Sequence, residues 1–221
     1  MLVAAAVCPN PPLLVPELGI GLGPEIDALR TGCTAVVQRL QGAEASITFV
    51  VGSGGGIAAT SFAPWGVAVG VDVPEPLALP LLVGGYLTRG TSRSFVVVDP
   101  ASESADCAAL GEELAATADR VALLIMGDGS ARHDEKAPGY VDRRAPDWDE
   151  TVHAALAAGD GRALLDFDPG LADELLCAGR PAWQVLAGAA RDIAVDRANA
   201  SLFVPFGVGY HVAYWEVAGR N

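Results

Sequence analysis

Apolar residues follow two rhythms along the chain. Short, mostly β-branched runs at Leu2–Val7, Ile47–Val51, Phe95–Val98 and Val121–Met126 carry no polar face. Strands buried on both sides of a parallel sheet have this pattern. Between the runs the spacing changes to three and four. Ile26, Leu29, Cys33, Val36, Val37 and Leu40 follow Pro24, which suits a first helical turn. Cys107, Leu110, Leu114 and Ala118 mark a second helix, with Ser102 or Ser104 as its N-cap. A third helix, from Asp147 to about Ala158, puts Trp148, Val152, Ala155 and Leu156 on one face. Pro181 to Ile193 is apolar nearly all round and predicts a buried helix. After Asn199, Ser201–Phe206 and Tyr210–Val217 read as strands around Gly207 and Gly209, paired as a terminal hairpin. The alternation predicts an α/β fold: a single-domain sandwich over residues 1–221. Its central sheet is mainly parallel, flanked by helices, and it ends in a C-terminal β-hairpin.

Composition narrows the partners. A chain of 221 residues that is 51% hydrophobic can bury a full core as one domain. Its net charge of −13, with 14 Lys and Arg, argues against nucleic acid and anionic membrane, because both need clustered basic residues. Cys8, Cys33, Cys107 and Cys177 are far apart and form no Cys-x-x-Cys pair, so reduced thiols and a cytoplasmic location are expected. No apolar run is long enough to span a bilayer.

Three loops follow predicted strands and are rich in special residues. The first is Pro9-Asn10-Pro11-Pro12, where the prolines restrain Asn10 to an extended backbone. The second is Gly52-Ser53-Gly54-Gly55-Gly56, and the third runs from Gly127 to Pro146. They are expected to converge at the carboxyl edge of the sheet, where open α/β folds place their ligands.

The stretch Cys8 to Glu17 resembles the N-terminal motif of the class III extradiol ring-cleavage dioxygenases, the B-subunit superfamily that includes the Memo proteins. The third loop adds to the resemblance. Gly127-Asp128-Gly129-Ser130-Ala131-Arg132, then Ala137-Pro138-Gly139-Tyr140, then Asp147-Trp148-Asp149 keep the order of the Memo-like branch. Arg180-Pro181 through Gly188-Ala189 and Gly207-Val208-Gly209-Tyr210 also look like family positions, so the similarity touches residues 2 to about 217 in order.

The resemblance implies Fe(II) held by two imidazoles and a carboxylate, with a further histidine as acid and base. In this chain those positions read differently. Asn10 stands at the first ligand position, Ser53–Gly56 at the second and Ala131 at the acid–base histidine. Glu17 and Glu216 are the candidate carboxylates. These positions imply a dioxygenase-like protein with an eroded iron site, non-catalytic, binding a small molecule or assembling, with a homodimer suggested by the resemblance. Its pocket is expected at Asn10, Ser53, Gly54, Asp128, Ser130 and His133, and no metal or other cofactor is expected. Two alternatives stay open. One is an active metal-dependent dioxygenase with a rebuilt set, His133 and Asp128 being the catalytic candidates beside Glu17 or Glu216, holding Fe(II) or another divalent ion. The other is an anion- or nucleotide-binding module using Gly52–Gly56 with Ser53, Thr60 or Ser61. His153 is expected on the surface. His211 and Glu216 are expected on opposite faces of the last strand.

Overall fold

The four apolar runs and both C-terminal segments contribute strands to one sheet in a computed structural model that describes residues 1–217; the last four residues of the expected domain lie outside it. The chain opens with β1 (Leu2–Cys8), α1 (Pro24–Gln41) and β2 (Ile47–Ser53). A two-residue pair, β3 (Ala58–Ala59) and β4 (Leu77–Ala78), precedes α2 (Leu79–Leu87) and β5 (Ser94–Val98). Then come α3 (Ser104–Ala116), β6 (Val121–Met126), α4 (Ala145–Ala158) and the short α5 (Gly161–Leu165) and α6 (Pro169–Glu174). The chain closes with α7 (Arg180–Ala189), β7 (Val195–Phe203) and β8 (Tyr210–Val217).

The strand order is β5-β2-β6-β1-β8-β7. The first four strands are parallel; β8 runs antiparallel to β1 and pairs with β7 as the expected hairpin. Side chains alternate between two apolar layers, which explains why the inner strands β1 and β6 have no polar face. Val121, Leu123 and Ile125 of β6 join Ala213, Trp215 and Val217 of β8 beneath α3 to α7. Ala122, Leu124 and Met126 join Val212 and Tyr214 beneath α1 and α2. Each large side chain removed from water in this way contributes roughly 1.5–3 kcal/mol before the entropy of ordering it.

Most helices stand where the spacing puts them. Every residue of α7 is buried, as its all-round apolar character predicts. Its backbone also touches α3: a Cβ on Gly188 would overlap the Ala108 carbonyl, and one on Gly111 the Val185 carbonyl. The cap of α3 differs from expectation. Ser104 is already helical, Glu103 stands at the N-cap, and neither serine caps by its side chain. The helix α2 was not foreseen, because Leu79–Leu87 is apolar without a period and holds Gly84 and Gly85. Gly84 lets α2 lie against Val50 and Met126, where a Cβ would collide. The strand β7 begins at Val195, six residues earlier than predicted, since an edge strand exposes polar residues such as Asp196 and Arg197.

Adjacent strands β1 and β6 send their following helices to opposite faces. α1 packs in one apolar layer and α4 in the other. The loops leaving β1 and β6 therefore diverge at a topological switch point, the crevice that open α/β sheets offer to ligands.

Candidate functional site

At that crevice the Asn10 loop meets the third loop. The ladder continues one step past the strands through Gly127 N–H donating to Cys8 O at 3.0 Å. Asn10 then donates its backbone N–H to Asp128 Oδ1 at 2.7 Å and its Nδ2 to Oδ2 at 3.3 Å. Asn10 is 7% exposed, and its Oδ1 is buried without a hydrogen-bond partner. Burial pushes the Asp128 carboxyl up from 3.8 to about 7; the Asn10 N–H opposes this and the Asp149 charge adds to it. Turning the Asn10 amide over would let its Oδ1 accept from a protonated Asp128 and would place Nδ2 in the unpartnered position instead.

Asp149, behind Asp128, is fully buried on the inner stripe of α4. His133 Nε2 lies 2.6 Å from its Oδ2, and His211 Nε2 lies 2.9 Å from its Oδ1. The Ser130 backbone N–H donates to the same carboxylate at 3.0 Å. Gly129 and Gly209 leave room for this approach, because a Cβ on either would overlap the Asp149 carboxylate. Burial alone raises the Asp149 carboxyl; the hydrogen bonds from His133 and His211, with the electrostatic pull of those rings, outweigh it and hold the group below its ordinary value. Trp183 of α7 meets the His211 ring edge-on, with centroids 5.4 Å apart. The result is a carboxylate held between two imidazoles, joining α4, the third loop and β8.

The expected site residues divide accordingly. Asn10 and Asp128 touch each other, and His133 and Ser130 both reach Asp149. Ser130 is fully buried with its hydroxyl on Leu175 O at 2.9 Å, so it is a bracing group rather than a pocket wall. Ser53 turns its hydroxyl to Ala178 O at 3.3 Å. Gly54 donates its N–H to Val98 O at 2.8 Å, extending the sheet instead of facing a ligand. The glycine run leads to β3 and not to a helix, so no helix N-terminus adds to its backbone N–H groups. Glu216 pairs with Ala4 near the start of β1, at the far end of the sheet from Asp128, and lies near Arg39 and Arg197. Glu17 is exposed on the loop after β1. Glu216 is thereby ruled out as a partner of Asp128.

His211 and Glu216 do face opposite layers, as period-two alternation requires. His153 is half-buried rather than on the surface, and its Nδ1 is enclosed. Asp149 and His211 were missed. Asp149 had a signal, because it shares a stripe with Ala145, Val152 and Leu156, and an acid on an apolar stripe needs a buried partner. All four cysteines are buried; burial and then the Asp149 charge push the Cys177 thiol up to about 12, and a hydrogen bond with Cys8 and then burial push the Cys33 thiol up.

An iron centre of the kind the resemblance implies needs two imidazoles and a carboxylate aimed at one point, with open positions beside them. Here the two imidazoles approach different oxygens of one carboxylate. Asn10 and Ala131 supply no imidazole, and among the described residues no group of three His, Cys, Asp or Glu side chains has a metal-holding arrangement. The residues present do not fit that group. No protein-family model matches the chain, and no curated protein matches it.

Proposed function

We propose that the chain is a class III extradiol dioxygenase-like protein that binds a small ligand at the carboxyl edge of its sheet and does not cleave rings. The observation that carries the reading is the engagement of both imidazoles at this edge: His133 and His211 each direct Nε2 to Asp149. A ring nitrogen that donates to a carboxylate cannot also ligate through the same atom. Asp149 then acts as a brace that holds three segments of the edge in one arrangement.

A second feature favours binding. Tyr140, Leu176 and Phe206 are 60%, 46% and 52% exposed, and each is held at positive φ. They surround the His133 loop: Ala131 N–H donates to Leu175 O, His133 N–H to Gly207 O, and Gly139 N–H to Ala131 O. Large apolar side chains held in strained conformations and facing water mark a contact surface. The ligand suited to this edge has an apolar body for these three residues and a polar group for Asn10 and Asp128.

Oxygen uptake tests the reading. Protein loaded with Fe(II) and then desalted should retain sub-stoichiometric iron and consume no oxygen with catechol beyond a ferrous blank. Stoichiometric iron with repeated turnover would overturn it. A small-molecule screen by thermal shift should return ligands whose stabilisation is lost in Phe206→Ser, since only ligands bound to the native state raise Tm.

A further inference from the structure

A cavity lies on the helical face, outside the carboxyl edge. Trp148, the neighbour of Asp149 on α4, packs on Phe167 with ring centroids 5.1 Å apart and planes inclined by 50°. Trp148 and Phe167 are each 7% exposed. Together they line a cavity of about 480 Å³ between the first turns of α4 and the chain from Asp166 to Leu171, a size that suits a small molecule.

This wall is fixed from behind. Gln184 donates Nε2 to Phe167 O at 3.1 Å and to Leu165 O at 3.3 Å. Arg180, 1% exposed, holds Gln184 Oε1 at 3.0 Å and also donates to Ser102 O and Pro100 O. A braced aromatic wall needs little reordering when a ligand arrives.

The mouth is acidic. Asp147, Asp166 and Asp168 are exposed and line it, and none has an ion-pair partner among the described residues. Asp168 caps α6 by accepting the Leu171 N–H at 2.7 Å, which leaves its charge in place. Arg144 is held by Asp142 and Glu174, so Arg143 is the one lining base without an acidic partner among the described residues. Three free carboxylates against one free guanidinium favour a cation, and the Trp148–Phe167 wall favours a flat apolar body beside the charge.

We propose that this cavity binds an organic cation with a planar aromatic or conjugated body and a single positive charge. The assignment rests on the α4–α6 surface alone and does not depend on the reading of the carboxyl edge.

Three probes of nearly equal shape separate charge from shape: benzamidinium, neutral benzamide and anionic benzoate. Binding is followed by the indole N–H resonance of Trp148, assigned with Trp148→Phe, and by calorimetry on the full chain. Benzamidinium should bind with a dissociation constant of about 1 mM, roughly the range for a fragment of this size. Benzamide and benzoate should bind at least about tenfold more weakly, and added salt should weaken benzamidinium. The double variant Asp147→Asn/Asp166→Asn changes only exposed side chains and should reduce benzamidinium affinity by about fivefold. An unmoved Trp148 resonance, benzoate binding as tightly as benzamidinium, or unchanged affinity in the double variant would each overturn the proposal.

Discussion

Asp149→Ala is expected to lower unfolding stability by about 3–5 kcal/mol, because it leaves the buried His211 ring, the partly buried His133 ring and the Ser130 N–H facing an empty space. That is a large part of the 5–15 kcal/mol typical of a domain. The loss should appear as a lower urea midpoint and as early melting of the β8 and third-loop amides in hydrogen exchange. Asp149→Asn keeps the shape but sets an N–H₂ against a ring N–H, so its cost should be smaller, about 2–3 kcal/mol. The sign of the acid dependence follows from the native carboxyl lying below its ordinary value of 3.8. The stabilisation is complete above that value and fades as pH falls through the lower native one. Asp149→Ala should therefore lose part of the wild-type decline below pH of about 4. A variant as stable as the wild type would remove the brace from the account.

Asp128 should behave in the opposite sense. Its native carboxyl sits at about 7 against an ordinary 3.8. Between those values the folded protein keeps a proton that the unfolded chain has released, so stability falls as pH rises from about 4 to 7 and then levels off. Each unit of displacement is worth about 1.4 kcal/mol in a dry site, and the partial exposure of Asp128 trims the total to about 1–3 kcal/mol. Asp128→Asn should thus stabilise the protein by that amount at pH 8 and change little at pH 4. Asn10 accommodates the variant by turning its amide so that the unpartnered Oδ1 accepts from the new N–H₂. Urea titrations at a series of pH values read the slope directly. Equal slopes in wild type and variant would show that Asp128 is ionised throughout.

The sheet was legible because strands covered on both faces leave no polar residues, and Val121–Met126 could hardly be read otherwise. The helix α1 was legible through its period, but α2 has none: leucine, valine and glycine fill it on every side. The meeting of Asn10 with Asp128 followed from where adjacent parallel strands end. The rest of the site did not, because a buried acid is recognised only once its partners are known. His133 and His211 are 78 residues apart in sequence, and only the fold brings them to the two oxygens of Asp149. The glycine run looked like a phosphate cradle because sequence shows glycines but not the element that follows them.

Long-range ¹H–¹⁵N correlation of the imidazole nitrogens, with and without Zn(II) as a diamagnetic stand-in for ferrous ion, tests the central claim most directly. Nε2 of His133 and of His211 should stay protonated and unmoved at equimolar metal. Loss of either Nε2 proton, with that nitrogen shifting to a metal-bound position, would contradict it.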